Sequence, residues 1–205
     1  MITVDCVQGS PEWFEARLGI PTASNFDKII TTNGAKSKQA EKYMYQLAVE
    51  RVTGQSEDAY SNAKMQRGQE LEAEARSLYE MLRGHKIEQV GVCFPDEKRR
   101  FGASPDGVVD KDGLAQIKCP MAYAAVGYLL DPKLPTDYIQ QVQGELLVTG
   151  RKWSDFISYY PGGPRGSIKP LIVRVERDEV FIKLLRNALE DFCAELDSLT
   201  ERIRQ

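Results

Sequence analysis

From Ser104 to Pro120 the chain reads Ser-Pro-Asp-Gly-Val-Val-Asp-Lys-Asp-Gly-Leu-Ala-Gln-Ile-Lys-Cys-Pro. Two β-prone runs flank the turn sequence Asp110-Lys111-Asp112-Gly113, which predicts a hairpin of strands over 99–109 and 113–119. A hairpin closed there sets Asp106 nearly opposite Gln116, with partners on one face about 4.5–5.5 Å apart at Cβ. The strand period of two then turns Gln116 and Lys118 to one face and Ile117 to the buried one. Three polar side chains thus converge at one end of a sheet.

With glutamate at position 116 the segment would carry the P-D…E-x-K pattern of a metal-dependent nuclease. The carboxylates of such a site hold one or two Mg²⁺ ions that activate a water and stabilise the leaving oxygen. A lysine there orients the water or stabilises charge on the phosphate. In this chain an amide, Gln116, stands where the second carboxylate belongs. Taken alone, the segment also fits a hairpin whose lysine merely faces solvent. Its surroundings favour the chemical reading. Arg67-Gly68-Gln69-Glu70-Leu71-Glu72 places Glu70 near the start of a helix that precedes the strands. Tyr138, Gln141 and Glu145 share a face of a later helix at i, i+3 and i+7.

The 205 residues suit one domain, spanning 1–205, of a size that buries a proper core. Charged residues at 28% and hydrophobic ones at 42% give the profile of a soluble globular protein. No apolar run is long enough to span a bilayer, and no secretory signal is visible, so a cytoplasmic protein is expected. Cys6, Cys93, Cys119 and Cys193 form no C-x-x-C pair, which argues against a zinc ribbon, a disulfide framework or an iron–sulfur cluster. A net charge of −3 excludes a basic nucleic-acid binder, though phosphate contacts require only a local basic surface. No Walker A sequence occurs, so no ATP-driven step is expected.

The pattern along the chain predicts a strand at 1–7, a short helix after Ser10-Pro11, and a second helix capped by Thr22 or Ser24 and ending near Ile30. Helices follow at 37–52, with Tyr43, Leu47 and Val49 apolar, and at 62–82, with Leu71, Ala75, Leu78 and Leu82 on one stripe. Strands are expected at 86–94, 99–109 and 113–119, then helices at 121–130 and 136–149. Strands at 153–160 and 170–176 and a long helix at 178–203 complete the order. An α/β (α+β) fold with a mixed central sheet flanked by helices follows.

Four stretches resemble the phage lambda-type exonucleases, the YqaJ-like viral recombinase family of the PD-(D/E)XK nuclease superfamily. They are Glu12-Trp13-Phe14-Glu15-Ala16-Arg17-Leu18-Gly19 running into Thr22-Ala23-Ser24; Gly68-Gln69-Glu70-Leu71-Glu72; Ser104-Pro105-Asp106-Gly107 with Ile117-Lys118-Cys119-Pro120; and Tyr138-Ile139-Gln140-Gln141-Val142-Gln143. Their order and spacing agree with the family over roughly residues 10–180. The resemblance implies a PD-(D/E)XK, restriction-endonuclease-like core and a 5′→3′ exonuclease that leaves 3′ single-stranded tails for strand annealing. Two Mg²⁺ ions, with Mn²⁺ as a substitute, would be held by Asp106, residue 116, the Ile117 carbonyl and Glu70. Lys118 matches the catalytic lysine, and Gln141 with Tyr138 matches the residues that support it and the attacking water. Arg17, Ser24 and Ser104 match the residues that hold a 5′-terminal phosphate. The implied partners are double-stranded DNA ends, a single-strand annealing protein and two further copies in a homotrimeric ring, in the cytoplasm of a bacterial or phage-infected cell.

Gln116 departs from that pattern. Its carbonyl is a weak ligand for a hard cation, so metal binding and hydrolysis should be impaired while DNA binding survives. Either a glutamate was replaced to trap uncut DNA, or the natural chain is slow or inactive; every other matched position is intact, which favours the first. An endonuclease of the same superfamily, or a DNA-end-binding protein without catalysis, are the alternatives. Arg165 and Lys169, in and beside the loop Pro161-Gly162-Gly163-Pro164-Arg165-Gly166, are expected to contact DNA. Lys98-Arg99-Arg100 fits a solvated hairpin turn, His85 a turn residue, and Trp13 the core.

Overall fold

The computed structural model describes residues 1–56 and 63–204, and for 63–70 the backbone alone. Its centre is a five-stranded mixed sheet in the order β2-β4-β5-β6-β7. The strands are β2 (Ile87–Glu88), β4 (Gly107–Val109), β5 (Gly113–Lys118), β6 (Trp153–Ser158) and β7 (Leu171–Glu176). Only β5 and β6 are parallel; the other neighbours run antiparallel. A separate two-stranded sheet pairs β1 (Ile2–Val4) with β3 (Val92–Phe94).

The helices are α1 (Pro11–Arg17), α2 (Ala40–Thr53), α3 (Ala63–Arg83), α4 (Ala122–Leu130), α5 (Ile139–Thr149) and α6 (Glu179–Ile203). Punctuation in the sequence explains their ends. Ser10 caps α1 by accepting from the Trp13 N–H, and Pro11 follows at the first helical position. Gly54, Gly84 and Gly150 close α2, α3 and α5 in the left-handed conformation. Asp178 caps α6 by accepting from Val180 and Phe181.

The sheet is covered on both faces. On one side α2, α5 and α6 pack into a core that includes Phe26, Tyr43, Leu47, Leu114, Val142, Leu146, Leu185, Leu189 and Phe192. On the other, Ala75 and Tyr79 of α3 meet Ile87, Val109, Ala115, Ile117 and Ile157. The Tyr79 hydroxyl donates to buried Asp155 at 2.8 Å, and Arg174 grips the same carboxylate with two nitrogens at 2.9 Å. That arrangement satisfies a charge on a central strand while tying α3 to the sheet.

Several elements differ from expectation. The first strand is only Ile2–Val4, and the second helix is a short 3-10 helix, Ala23–Lys28, that stops before Ile30. Residues 86–94 split into β2 and β3, which join different sheets. The reason lies at Gly91, where a Cβ would stand 2.2 Å from the Val4 carbonyl, so the chain switches sheets against the β1 backbone. Of 99–109 only 107–109 is a strand; Gly102 and Ala103 make single bridges to Thr22 and Cys93. On α2, Val49 is exposed and Met44 and Ala48 fill the stripe instead; on α3 the buried stripe is Ala75 and Tyr79, with Leu82 in solvent. Lys98–Arg100 does lie in a turn, with Arg99 at φ 49. His85 does more than turn the chain, its Nδ1 lying 2.7 Å from Asp110 Oδ2.

Helix α5 sits close because Gly144 faces the Phe26 ring, where a Cβ would come within 2.4 Å of a ring carbon. Phe26 is fully buried and cannot yield. Gly144→Ala is therefore expected to destabilise the fold by about 1–3 kcal/mol in urea unfolding, the usual cost of overpacking. A loss within error of zero would show that α5 docks less tightly than described.

Candidate active site

The β4–β5 register pairs Gly107 with Ala115 and so brings Asp106 opposite Gln116. Gly107 allows this hairpin to lie against β2, since a Cβ there would strike Ile87 at 2.2 Å. Asp106 Oδ2 accepts two hydrogen bonds, from Gln116 Nε2 at 2.5 Å and from the Ile117 backbone N–H at 2.6 Å. The Gln116 Oε1 in turn accepts from Gln141 Nε2 at 3.0 Å. Gln141 spends its other hydrogen on Glu145 Oε1, also at 3.0 Å.

Lys118 ends β5 beside Ser158, with its Nζ 5.2 Å from the centroid of the Tyr138 ring. Tyr138 precedes α5 and rests on Phe156, ring centroids 5.2 Å apart. Helical periodicity separates the glutamines of this segment. Gln140 donates to the Ile30 carbonyl, and Gln143 ties down Glu176 and Asp178, so Gln141 alone among them turns to the site. The side chain of Glu70 lies outside the described residues.

Burial dominates the electrostatics. Glu145 is 1% exposed, and burial followed by the nearby Asp106 carboxylate pushes its carboxyl up to about 8. Burial likewise raises Asp106 to about 6, against the opposing pull of Lys118. Glu72, paired with Arg76 at 2.6 Å, adds to the negative field at Asp106. Tyr138 is also shifted upward, by burial and by its hydrogen bond with Tyr128.

A second cluster adjoins the first. Arg17 donates from Nη1 to Ser104 Oγ at 3.0 Å, and from Nη2 to Thr22 Oγ1 at 3.2 Å and Ser24 Oγ at 3.3 Å. Its guanidinium lies over the Trp13 ring, 4.1 Å from the centroid, and Trp13 Nε1 donates to Ser104 at 3.0 Å. Trp13 is thus a half-buried platform rather than a core residue, stacking a planar cation as such rings do. Desolvation lowers Arg17 to about 10. The structure therefore gathers Arg17, Ser24 and Ser104 as expected, with Ser24 in the first turn of a short 3-10 helix, Ala23–Lys28, that Thr22 precedes.

Arg165 and Lys169 are exposed on the β6–β7 connection, which leaves the sheet at the end bearing Lys118. Nothing described ties them to either cluster. Sequence reasoning left Thr22, Trp13, Glu72 and Glu145 out of the site. For Glu145 a signal existed in the stripe it shares with Tyr138 and Gln141.

As the side chains stand, a pair of divalent cations does not fit the described donors. Among the described residues no group of three or more Asp, Glu, His or Cys gathers as a metal site. The atom that Gln116 presents to Asp106 is an N–H, which a cation repels.

The sequence matches the model of the YqaJ-like viral recombinase domain over residues 12–152. The chain belongs to this family. Its structure is similar to that of an alkaline exonuclease, LHK-Exo, from Laribacter hongkongensis, with TM-score 0.85 and 36% identity over 95% of this chain and 96% of that one. LHK-Exo has also been solved in complex with dAMP, with the same TM-score of 0.85. A phage-related exonuclease from Haemophilus somnus 129PT shares the fold, with TM-score 0.68 and 16% identity over 90% and 96% of the two chains. Among curated proteins none matches the sequence. Among the described residues no helix is long and apolar enough to cross a membrane.

The Glu145 carboxyl holds its proton to about pH 8 when folded and loses it near its ordinary value of 4.5 when unfolded. Between those values the unfolded chain binds fewer protons, so stability must fall as pH rises. Urea unfolding in EDTA at about pH 5 and about pH 9 should show that fall, and Glu145→Gln should remove most of it. Equal pH dependence in both chains would mean that Glu145 ionises freely in the fold.

Proposed function

We propose that this fold is a 5′→3′ exonuclease on double-stranded DNA ends, of the PD-(D/E)XK type, and that Gln116 impairs it in this chain. One observation carries the reading. Ser104, which closes the Arg17 cluster, and Asp106, the hub of the hydrolytic cluster, stand two residues apart in the chain, at most roughly 7 Å between their Cα atoms. A terminal phosphate held by Arg17, Ser24 and Ser104 would lie one short step from the reacting phosphodiester. Such an arrangement measures cleavage from a chain end. An endonuclease of the same superfamily has no use for it.

Each residue has a physical task in this reading. The Arg17 guanidinium, stiffened by Trp13, offers a rigid fork to a phosphate dianion. Lys118 stabilises developing charge on the scissile phosphate or orients water, and Gln141 with Tyr138 holds residue 116 and the lysine in place. Mg²⁺, two ions per site with Mn²⁺ as substitute, would supply the Lewis acidity for water activation in a chain bearing glutamate at 116, with Asp106, the Ile117 carbonyl and Glu70 as further ligands. Arg165 and Lys169 would touch the duplex backbone.

The family and the LHK-Exo likeness support exonuclease activity, and the dAMP bound to LHK-Exo supports a site for nucleoside 5′-phosphates. A homotrimeric ring would confine positive charge to a channel in a protein of net charge −3. A single-strand annealing protein that loads on the tail is the partner such a reaction calls for. No ATP is required, and the setting would be the cytoplasm of a bacterial or phage-infected cell.

Gln116→Glu is expected to restore Mg²⁺-dependent digestion of end-labelled linear duplex, with closed circular DNA left intact. In that chain Arg17→Ala should slow digestion of 5′-phosphorylated ends by roughly tenfold or more, and of 5′-hydroxyl ends far less. A folded, metal-replete Gln116→Glu chain that stays inert refutes the hydrolytic assignment. Equal slowing on both kinds of end refutes the clamp.

A further inference from the structure

Glu145 is a costly residue with no assigned task. It lies on α5 at 1% exposure, where Lys118 and Arg17 act on it only through their fields and burial outweighs both. A buried carboxyl of this kind is expensive unless its oxygens are engaged. One of them, Oε2, is buried with no hydrogen-bond partner among the described residues. The other, Oε1, takes a single bond, from Gln141 Nε2. A carboxyl kept at such a cost for the packing of α5 alone would be better replaced by an apolar side chain of similar length.

The hydrogen bonds show what the carboxyl does. They form a line from Glu145 Oε1 through the Gln141 amide and the Gln116 amide to Asp106 Oδ2. An amide has unlike ends, and each of these two could sit either way round. Asp106 Oδ2 already accepts the Ile117 N–H and sets the near end. At the far end the Gln141 N–H donates to Glu145 Oε1, so the proton that burial keeps on this carboxyl sits on Oε2 and Oε1 remains an acceptor. Were Gln141 reversed, its carbonyl oxygen would face acceptors on both sides, Glu145 Oε1 and Gln116 Oε1.

We propose that Glu145 is a positioning residue: its buried carboxyl holds the Gln141 amide N–H toward residue 116 and so sets how residue 116 meets Asp106. With glutamine at 116 the line turns an N–H onto Asp106 and locks it. With glutamate at 116 the same Gln141 N–H steadies the new carboxylate. The consequence for catalysis rests on the nuclease reading, whereas the hydrogen-bonded line does not.

Two measurements test the proposal separately. In the chain as it stands, side-chain amide hydrogen exchange of Gln116 and Gln141 is followed by NMR. Glu145→Met, close in length and apolar, should leave the chain folded and speed exchange at Gln141 by roughly tenfold or more, while Glu145→Gln, which retains an acceptor oxygen, keeps it slow. If the Met chain does not fold, Glu145→Asp, which withdraws the carboxyl by one methylene, makes the same comparison. In the Gln116→Glu chain, Glu145→Met should lower kcat by roughly tenfold with KM for DNA ends nearly unchanged, and Glu145→Gln should restore it. Unchanged exchange, or an equal effect of Met and Gln on exchange, overturns the proposal. An inert Gln116→Glu chain overturns the nuclease reading, and the exchange data still decide the role of Glu145.

Discussion

The pair of hydrogen bonds onto Asp106 Oδ2 is the interaction on which this structure turns. The Ile117 backbone N–H and the Gln116 amide can reach that oxygen together only in one register of the β4–β5 hairpin. A slip of one residue would put Gln116 in the apolar layer with Tyr79 and send Ile117 toward α5. The register is held from several sides. The parallel β6 strand pairs with every residue of β5, the Trp153 ring closes over Gly113, and Gly107 admits Ile87 of β2.

Polar side chains placed that deep become strong electrostatic actors. Burial, aided by neighbouring carboxylates, lifts Glu145 and Asp106 toward neutrality, and burial draws Arg17 down to about 10. Each is kept in place by oriented partners: amides for the carboxyls, hydroxyls and an indole ring for the guanidinium. The two clusters remain distinct because Ser104 and Asp106 belong to one stretch but face different neighbours, α1 for the serine and β5 for the aspartate. The paired carboxyls and the guanidinium are thereby kept apart by neighbouring residues of the same strand entry.

Helix limits were legible wherever local chemistry sets them, as at Ser10-Pro11, Gly54, Gly84, Gly150 and Asp178. The hairpin and the convergence of Asp106, Gln116 and Lys118 followed from a turn sequence and a period of two. What failed was decided by remote contact. The break between β2 and β3 comes from Val4 crossing at Gly91, and the α3 stripe runs through Tyr79 because Asp155 waits on β6. Trp13 looked like core from its neighbour Phe14, yet Arg17 lies over its ring and Ser104 takes its N–H. Glu145 stood in the right helical stripe, but only its burial and its bond from Gln141 join it to the candidate site.

The sequence by itself determined which side chains could share a face, because helical and strand periods are properties of a local backbone. It also determined the family, through four motifs kept in order. Only the tertiary structure decided that Arg17 reaches Ser104 across a separation of 87 residues, and that Gln141 reaches Gln116 across 25. It alone decided that the atom Gln116 offers Asp106 is a hydrogen-bond donor. Periodicity fixes the face of an element, whereas the partner across the gap depends on how close two elements pack and on which end of an amide the surrounding acceptors require.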